Sequence, residues 1–298
     1  MLKKLLIVTS IIALVSSCKK DDGGGTNIIP SPQITSTAFI GNHIPGAKFN
    51  NYRLDSGIIK IPTAGGVSIA FDYTGVPNGT PWSDTLKSPT NLVDYPTASY
   101  TTGLSDSLFG QKLTIQRYYK LNATTWSVLG DDYDALSISA AGTGSASIPK
   151  QAVKKNPSQI LAQFPINYGD SMQQTCTSAL NFIATIPPTP PLPTSTTGPI
   201  TVTQETIVNS KNICWGTLRL KGYTDTMQVV VQKYTTTIKN TFSSTNLILS
   251  FAIPSILNNF NVTNGQSVTL TSYRFWAANK GLVMTINTDG SANITTGL

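Results

Sequence analysis

The 298-residue chain carries 21 Lys and Arg against 14 Asp and Glu, one histidine, and only 12% charged side chains. Its positive excess is scattered instead of gathered on one face or stripe, which excludes a nucleic-acid binder. A single histidine excludes multi-histidine zinc sites and obliges any Ser-His-Asp scheme to run through His43.

In chain order the first element is a leader. Lys3 and Lys4 precede an apolar run from Leu5 to Val15, followed by Ser16, Ser17 and Cys18. A basic start, a short apolar middle and small residues before a cleavage point predict a signal peptide over residues 1–17. The run is too short for a membrane-spanning helix, which takes about 20 residues. Beyond it, Lys19-Lys20-Asp21-Asp22 and Gly23-Gly24-Gly25 open a polar stretch that cannot bury a core. A flexible tether is expected over residues 18–35.

The remainder reads as strands. Val67, Ile69, Phe71 and Tyr73 alternate with other residues, a period of two, and predict a strand near the end of residues 58–73. Asn78-Gly79, Pro81, Pro89 and Pro96 predict loop, because prolines interrupt ladders. Residues 113–121 alternate again, and shorter strands follow near 126–129, 135–139 and 145–148. A proline cluster from Pro187 to Pro199 separates 172–186 from a dense series at 200–208, 213–221, 226–237, 246–252, 267–276, 281–287 and 291–296. Asn264-Gly265 and Asp289-Gly290 carry hairpin-turn chemistry. Many short strands joined by turns, in a chain rich in Thr and Ser, predict an all-β fold of antiparallel sandwich type. Two β regions are expected, 36–156 and 157–298, packed as subdomains or as one domain.

Three groups of residues carry resemblances. Leu14-Val15-Ser16-Ser17-Cys18 resembles the bacterial lipobox, which implies a diacylglyceryl thioether on Cys18 and a further acyl chain, such as palmitate, on its amine. Cys18-Lys19-Lys20-Asp21-Asp22 resembles the surface-export signal of Bacteroidota lipoproteins. Together they imply a lipid-anchored protein of the outer membrane facing the cell exterior, with the membrane as its first partner. Phe164-Pro165-Ile166-Asn167-Tyr168-Gly169-Asp170-Ser171 resembles a segment of a β-rich module widespread in secreted Bacteroidota proteins. Cys214-Trp215-Gly216-Thr217-Leu218, Arg219-Leu220-Lys221 and Tyr273-Arg274-Phe275-Trp276 are similar to its later strands, so the likeness spans residues 50–290. The chain departs from the module in placing Trp215 where Tyr is usual and in its proline-rich insertion. That family has no established activity, so the resemblance implies a fold and an address and no chemistry.

The chemistry-bearing residues are few. Cys176 and Cys214 remain once Cys18 is lipidated, and an even pair in an oxidising compartment is a disulfide candidate, with two buried free thiols as the alternative. His43 lies in Gly41-Asn42-His43-Ile44-Pro45, a turn-like context that predicts a surface histidine. Gly169-Asp170-Ser171 resembles the block of the esterases named for it, but no histidine follows His43 to serve it. Glu205 is the sole glutamate, which makes a glycosidase pair depend on aspartates. Asp131, Asp132 and Asp134 form the only dense acidic cluster, either a calcium loop or a solvated turn. No cofactor motif is present. Asp84-Thr85-Leu86, Asp106-Ser107-Leu108, Asp170-Ser171-Met172 and Asp225-Thr226-Met227 resemble the O-glycosylation acceptor of exported Bacteroidota proteins, which implies candidate sites at Thr85, Ser107, Ser171 and Thr226. Of the four tryptophans, Trp215 and Trp276 sit in strand patterns and are expected in the core, whereas Trp82 is the candidate for an exposed, sugar-stacking ring. The functional expectation is a non-enzymatic surface lipoprotein acting in binding, adhesion or envelope architecture, with a glycan or protein partner. A carbohydrate-binding accessory role is the alternative, and an unrecognised hydrolase the second.

Overall fold

The computed structural model describes residues 31–60, 62, 65–108, 111–140, 144–188, 194–258 and 263–296. The signal peptide, Cys18 and most of the expected tether lie outside them. The first described residues are already fixed: Ile34 is buried and exchanges two backbone hydrogen bonds with Ile166, at 3.1 and 2.9 Å.

Helix α1 (Ser36–Asn42) is followed by β1 (Lys48–Leu54), β2 (Gly66–Tyr73) and β3 (Thr80–Thr85). Next come β4 (Tyr100–Leu108), β5 (Gln111–Leu121), β6 (Thr125–Tyr133), β7 (Leu136–Ala140), β8 (Gly144–Ile148) and β9 (Gln151–Gln163). The longest strands are β10 (Ser171–Ile186), β11 (Thr196–Leu220) and β12 (Met227–Ser243). Helix α2 (Leu247–Asn258), β13 (Ser267–Ala277), β14 (Gly281–Asn287) and β15 (Ala292–Thr296) complete the chain.

The strands form one sheet in the order β3-β1-β15-β14-β13-β12-β11-β10-β9-β6-β5-β4, antiparallel throughout this path. Its two ends meet: just past β3, Lys87 exchanges N–H···O bonds of 2.8 and 2.9 Å with Thr101 of β4. A twisted sheet of this many strands curls, and here it curls until its edges touch. The all-β expectation holds, but the expected sandwich is corrected to a sheet nearly closed into a barrel. Closure also hides most of the open edge that a flat sheet would expose.

The junction between the two halves of the sheet is made largely by side chains. Asn156 of β9 pairs with Thr177 of β10, and beside it the Gln174 amide replaces the ladder. Its Nε2 donates to the Ser158 carbonyl and its Oε1 accepts from the Ile160 N–H, both at 2.8 Å. The boundary expected at 156/157 falls inside β9.

Strand β2 lies parallel to the end of β11, and there glycine is obligatory. A Cβ on Gly216 would overlap the Ile69 carbonyl. Ser68 has a φ of 55°, which breaks the alternation and leaves Val67 exposed while Ile69, Phe71 and Tyr73 turn inward. That apolar group packs with Leu218, Val229, Phe275 and Ile294 in the main core. A second core gathers Ile34, Phe39, Phe164, Ile166, Trp215, Val230 and Trp276.

Two local expectations fail for identifiable reasons. Residues 246–252, expected as strand, begin α2, because the Asn246 Oδ1 accepts from the N–H groups of Ile248 and Leu249, at 3.0 and 3.3 Å. That is N-cap chemistry, and it outweighs a weak alternation. Residues 80–85, expected as loop, form β3, an edge strand on which Pro81 needs no ladder partner on its open side.

Candidate ligand-binding site

Where the sheet closes on itself, side chains at alternate positions of the two approaching edges point at one another. Phe49 and Asn51 come from β1, Trp82 and Asp84 from β3, Tyr100 and Thr102 from β4, Tyr119 from β5 and Trp126 from β6. With His43 they line a cavity of about 160 Å³. Five of these nine residues carry six-membered aromatic rings, so the walls offer flat apolar faces with a few polar atoms set among them.

The rings hold each other in place. Tyr100 and Tyr119 stack at 4.9 Å between centroids, and Tyr119 lies nearly parallel to Trp126 at 6.0 Å. The Trp126 indole N–H donates to the Tyr100 hydroxyl at 2.7 Å, which fixes both rotamers. Burial pushes both tyrosine hydroxyls above their ordinary titration range, so they remain protonated donors at neutral pH. Trp82 stands at the mouth, 45% exposed, while Trp215 and Trp276 are core residues as expected.

His43 is not the surface residue that its turn context predicts. Its ring stacks on Phe39 at 3.7 Å and lies 4.8 Å from Phe49 and 6.0 Å from both Tyr100 and Trp126. Burial lowers its pKa to about 4, so the ring is neutral at physiological pH. Nδ1 sits 2.8 Å from the Phe39 carbonyl oxygen, which can only accept. Nδ1 therefore carries the proton and Nε2 is an acceptor. Asp84 is the one carboxylate among the described residues lining the cavity, and burial is the main cause of its raised pKa.

A second, more polar cavity of about 420 Å³ lies beside the Phe164–Ser171 segment, lined among others by Thr124, Gln163, Asn167, Asp170 and Ser210. That segment ties the sheet together. The Asn212 side chain donates to the Asn167 carbonyl at 2.7 Å, and the Gly169 N–H donates to the Asn212 carbonyl at 3.0 Å. The resemblance-bearing residues here are thus engaged in turn and strand contacts.

The remaining sequence candidates separate. Cys176 of β10 faces Thr206 of β11, and Cys214 lies eight residues further along β11. At about 3.4 Å per residue the two sulfurs are roughly 25 Å apart along the strand, whereas a disulfide needs Cα atoms within about 7 Å. The disulfide expectation is corrected: both are buried free thiols, and burial pushes Cys214 up to about 11. The acidic cluster does not converge. Asp131 pairs with Arg117 at 2.7 Å, Asp132 accepts from Asn91 and Tyr118, and Asp134 is exposed. Among the described residues no group of acidic, Cys and His side chains is arranged to hold a metal ion. Thr85, Ser171 and Thr226 are exposed, and the Ser107 side chain lies outside the described residues. Cys18 does so as well.

No family model, no curated protein and no solved structure matches the chain. What sequence reasoning missed is the convergence. Phe49, Tyr100, Tyr119 and Trp126 each look like ordinary strand aromatics, and nothing local announces that β1 and β4 approach each other. The nearest signal is the alternation that puts Trp82 and Asp84 on one face of a proline-bearing edge strand.

Proposed function

We propose that this chain is a lipid-anchored protein of the outer membrane, held through Cys18 and facing the cell exterior, and that its barrel binds a ligand without transforming it. The observation that carries the binding role is the aromatic cavity with Trp82 at its mouth. Flat rings that are already locked by neighbours offer large contact area at little entropic cost, and a few fixed polar groups then set orientation. The lipid anchor rests on the basic leader and on Cys18 after small residues.

The ligand class this wall suits best is a carbohydrate, whose C–H faces stack on indole and phenol rings while its hydroxyls meet acceptors and donors. Asp84 and the Nε2 of His43 can accept, and Thr102 and Asn51 can do both. Glycoside hydrolysis ordinarily requires two carboxyls flanking the bond, and Asp84 has no second carboxyl among the described lining residues. Exposed Thr85, Ser171 and Thr226 suit the proposed O-glycosylation.

Two measurements test this reading. Metabolic labelling with a palmitate analogue is expected to mark the wild type and not Cys18→Ala, and label retained by the variant contradicts the anchor. A glycan array is expected to give reproducible binding that Trp82→Ala abolishes. Binding indifferent to Trp82, or none at all, contradicts the carbohydrate reading.

A further inference from the structure

The outer halves of β10, β11 and β12, with the β7–β8 hairpin paired along β10, extend as an arm past the last rung between β9 and β10. From Ser171 to Ile186, β10 alone covers about 50 Å at 3.4 Å per residue. Near its end α2 packs on Phe182, Ala184, Ile186, Ile200 and Phe242 through Leu249, Ile253 and Leu257. The opposite side of α2 is bare and apolar: Leu247 is 71% and Phe251 78% exposed, with Ile248 beside them. Val268 and Leu270 of β13 are exposed as well, and they share a face of the arm with α2. The reason is register: Val268 and Leu270 pair with Ile238 and Thr236, which have the same parity along β12 as Phe242 under the helix. Scattered exposed apolar residues are ordinary, but a cluster of large ones on one face marks a contact surface.

A second observation says what kind of contact. Residues 171–204 and 240–273 contain no Asp, Glu, Lys, Arg or His, although the chain elsewhere carries charge along its strands. Charge resumes at the row where Glu205 faces Lys239, and Val268 and Leu270 lie one and three rows to the barrel side of it, so the uncharged tip proper is α2 with the strand ends under it. A protein partner asks for few charges at the centre of its interface and tolerates them freely at the rim. A lipid surface penalises every ionised group that enters it.

We infer that the arm's tip rests on a bilayer, with α2 lying in the interface and Leu247, Ile248 and Phe251 among the acyl chains. Among the described residues no helix is long and apolar enough to cross a membrane, and a helix of this length, about 18 Å, lies on the surface instead. With no basic residue on α2 or on the strand ends beneath it, the nearest being Lys150 after β8 and Lys239 of β12, the lipid it takes is zwitterionic and the attachment is indifferent to salt. The inference rests on the proposed anchor in one respect: a lipid on Cys18 holds the chain at a membrane and so raises the local concentration of a weakly binding tip there.

The test uses the full chain with Phe251→Cys carrying a nitrobenzoxadiazole dye. The buried thiols of Cys176 and Cys214 stay unlabelled in the folded protein. With vesicles of phosphatidylcholine and phosphatidylethanolamine, a several-fold rise in emission is expected, quenched by nitroxides on the acyl chains and unchanged by added salt. Leu247→Asp in the same chain is expected to remove the rise while leaving the circular dichroism spectrum intact. Unchanged emission overturns the inference. So does a rise that needs anionic lipid, or one that grows with protein concentration without vesicles, which indicates a second copy as the occupant. Repeating the titration with Cys18→Ala separates the two readings: a rise at higher vesicle concentration keeps the tip and discards the need for the anchor, and a tethered chain without a rise does the reverse.

Discussion

His43 is neutral in the folded protein because aromatic rings displace the water that an imidazolium needs, and its single fixed hydrogen bond to the Phe39 carbonyl does not offset that loss. The consequence for stability has a definite sign. The folded pKa of about 4 lies below the ordinary 6.5, so the unfolded chain binds the proton more readily. His43's contribution is complete above pH 6.5 and declines as pH falls towards 4, by about 3 kcal/mol at about 1.4 kcal/mol per pKa unit. Asp84, raised by burial, works in the opposite direction, so the comparison with His43→Gln isolates the histidine. Urea denaturation across this range is expected to show a steeper acid loss in the wild type than in His43→Gln, and parallel profiles count against the buried imidazole. Gly216→Ala belongs to the same scale. A methyl group driven against the Ile69 carbonyl is expected to lower stability by roughly 1–3 kcal/mol, readable as an earlier urea midpoint. An unchanged midpoint means β2 does not dock as described.

At the scale of elements, what the sequence makes legible is alternation, and what it hides is partnership. Strands β5, β13, β14 and β15 fall at the expected 113–121, 267–276, 281–287 and 291–296, but the alternation read at β5 does not carry over to β13, which is exposed on both faces at 267–270 and buried on both at Phe275–Ala277. The segments 200–208 and 213–221 turn out to be one strand, β11, since the irregularity between Asn212 and Cys214 bends the ladder without ending it. Helix α2 was masked by uncharged apolar residues that suit either state; the cap at Asn246 decides it. Asn246→Ala is therefore expected to cost about 1 kcal/mol and to speed amide exchange in α2 before the rest of the chain. Exchange slowed or unchanged there would mean that packing on Ile200 and Phe242 holds the helix without its cap. The cavity was legible only through Trp82, because its other walls come from strands that are distant in sequence and adjacent solely through closure.

For the whole molecule, closure replaces a covalent staple. Cys176 and Cys214 sit in separate parts of the long sheet, so the fold is held by its ladders and by three apolar cores. Thiol alkylation without reductant is expected to modify neither cysteine in the native protein and both in denaturant; failure to react in denaturant until a reductant is added would restore the disulfide. The same closure brings β1, β3, β4, β5 and β6 around one aromatic cavity, and the proposed binding role stands or falls there. The most direct test is titration calorimetry of the full chain, with and without Trp82→Ala, against a soluble glycan selected by array. Saturable heat from the wild type, lost in a Trp82→Ala protein that unfolds at the same temperature, is the predicted result. Equal heats from both proteins would contradict it.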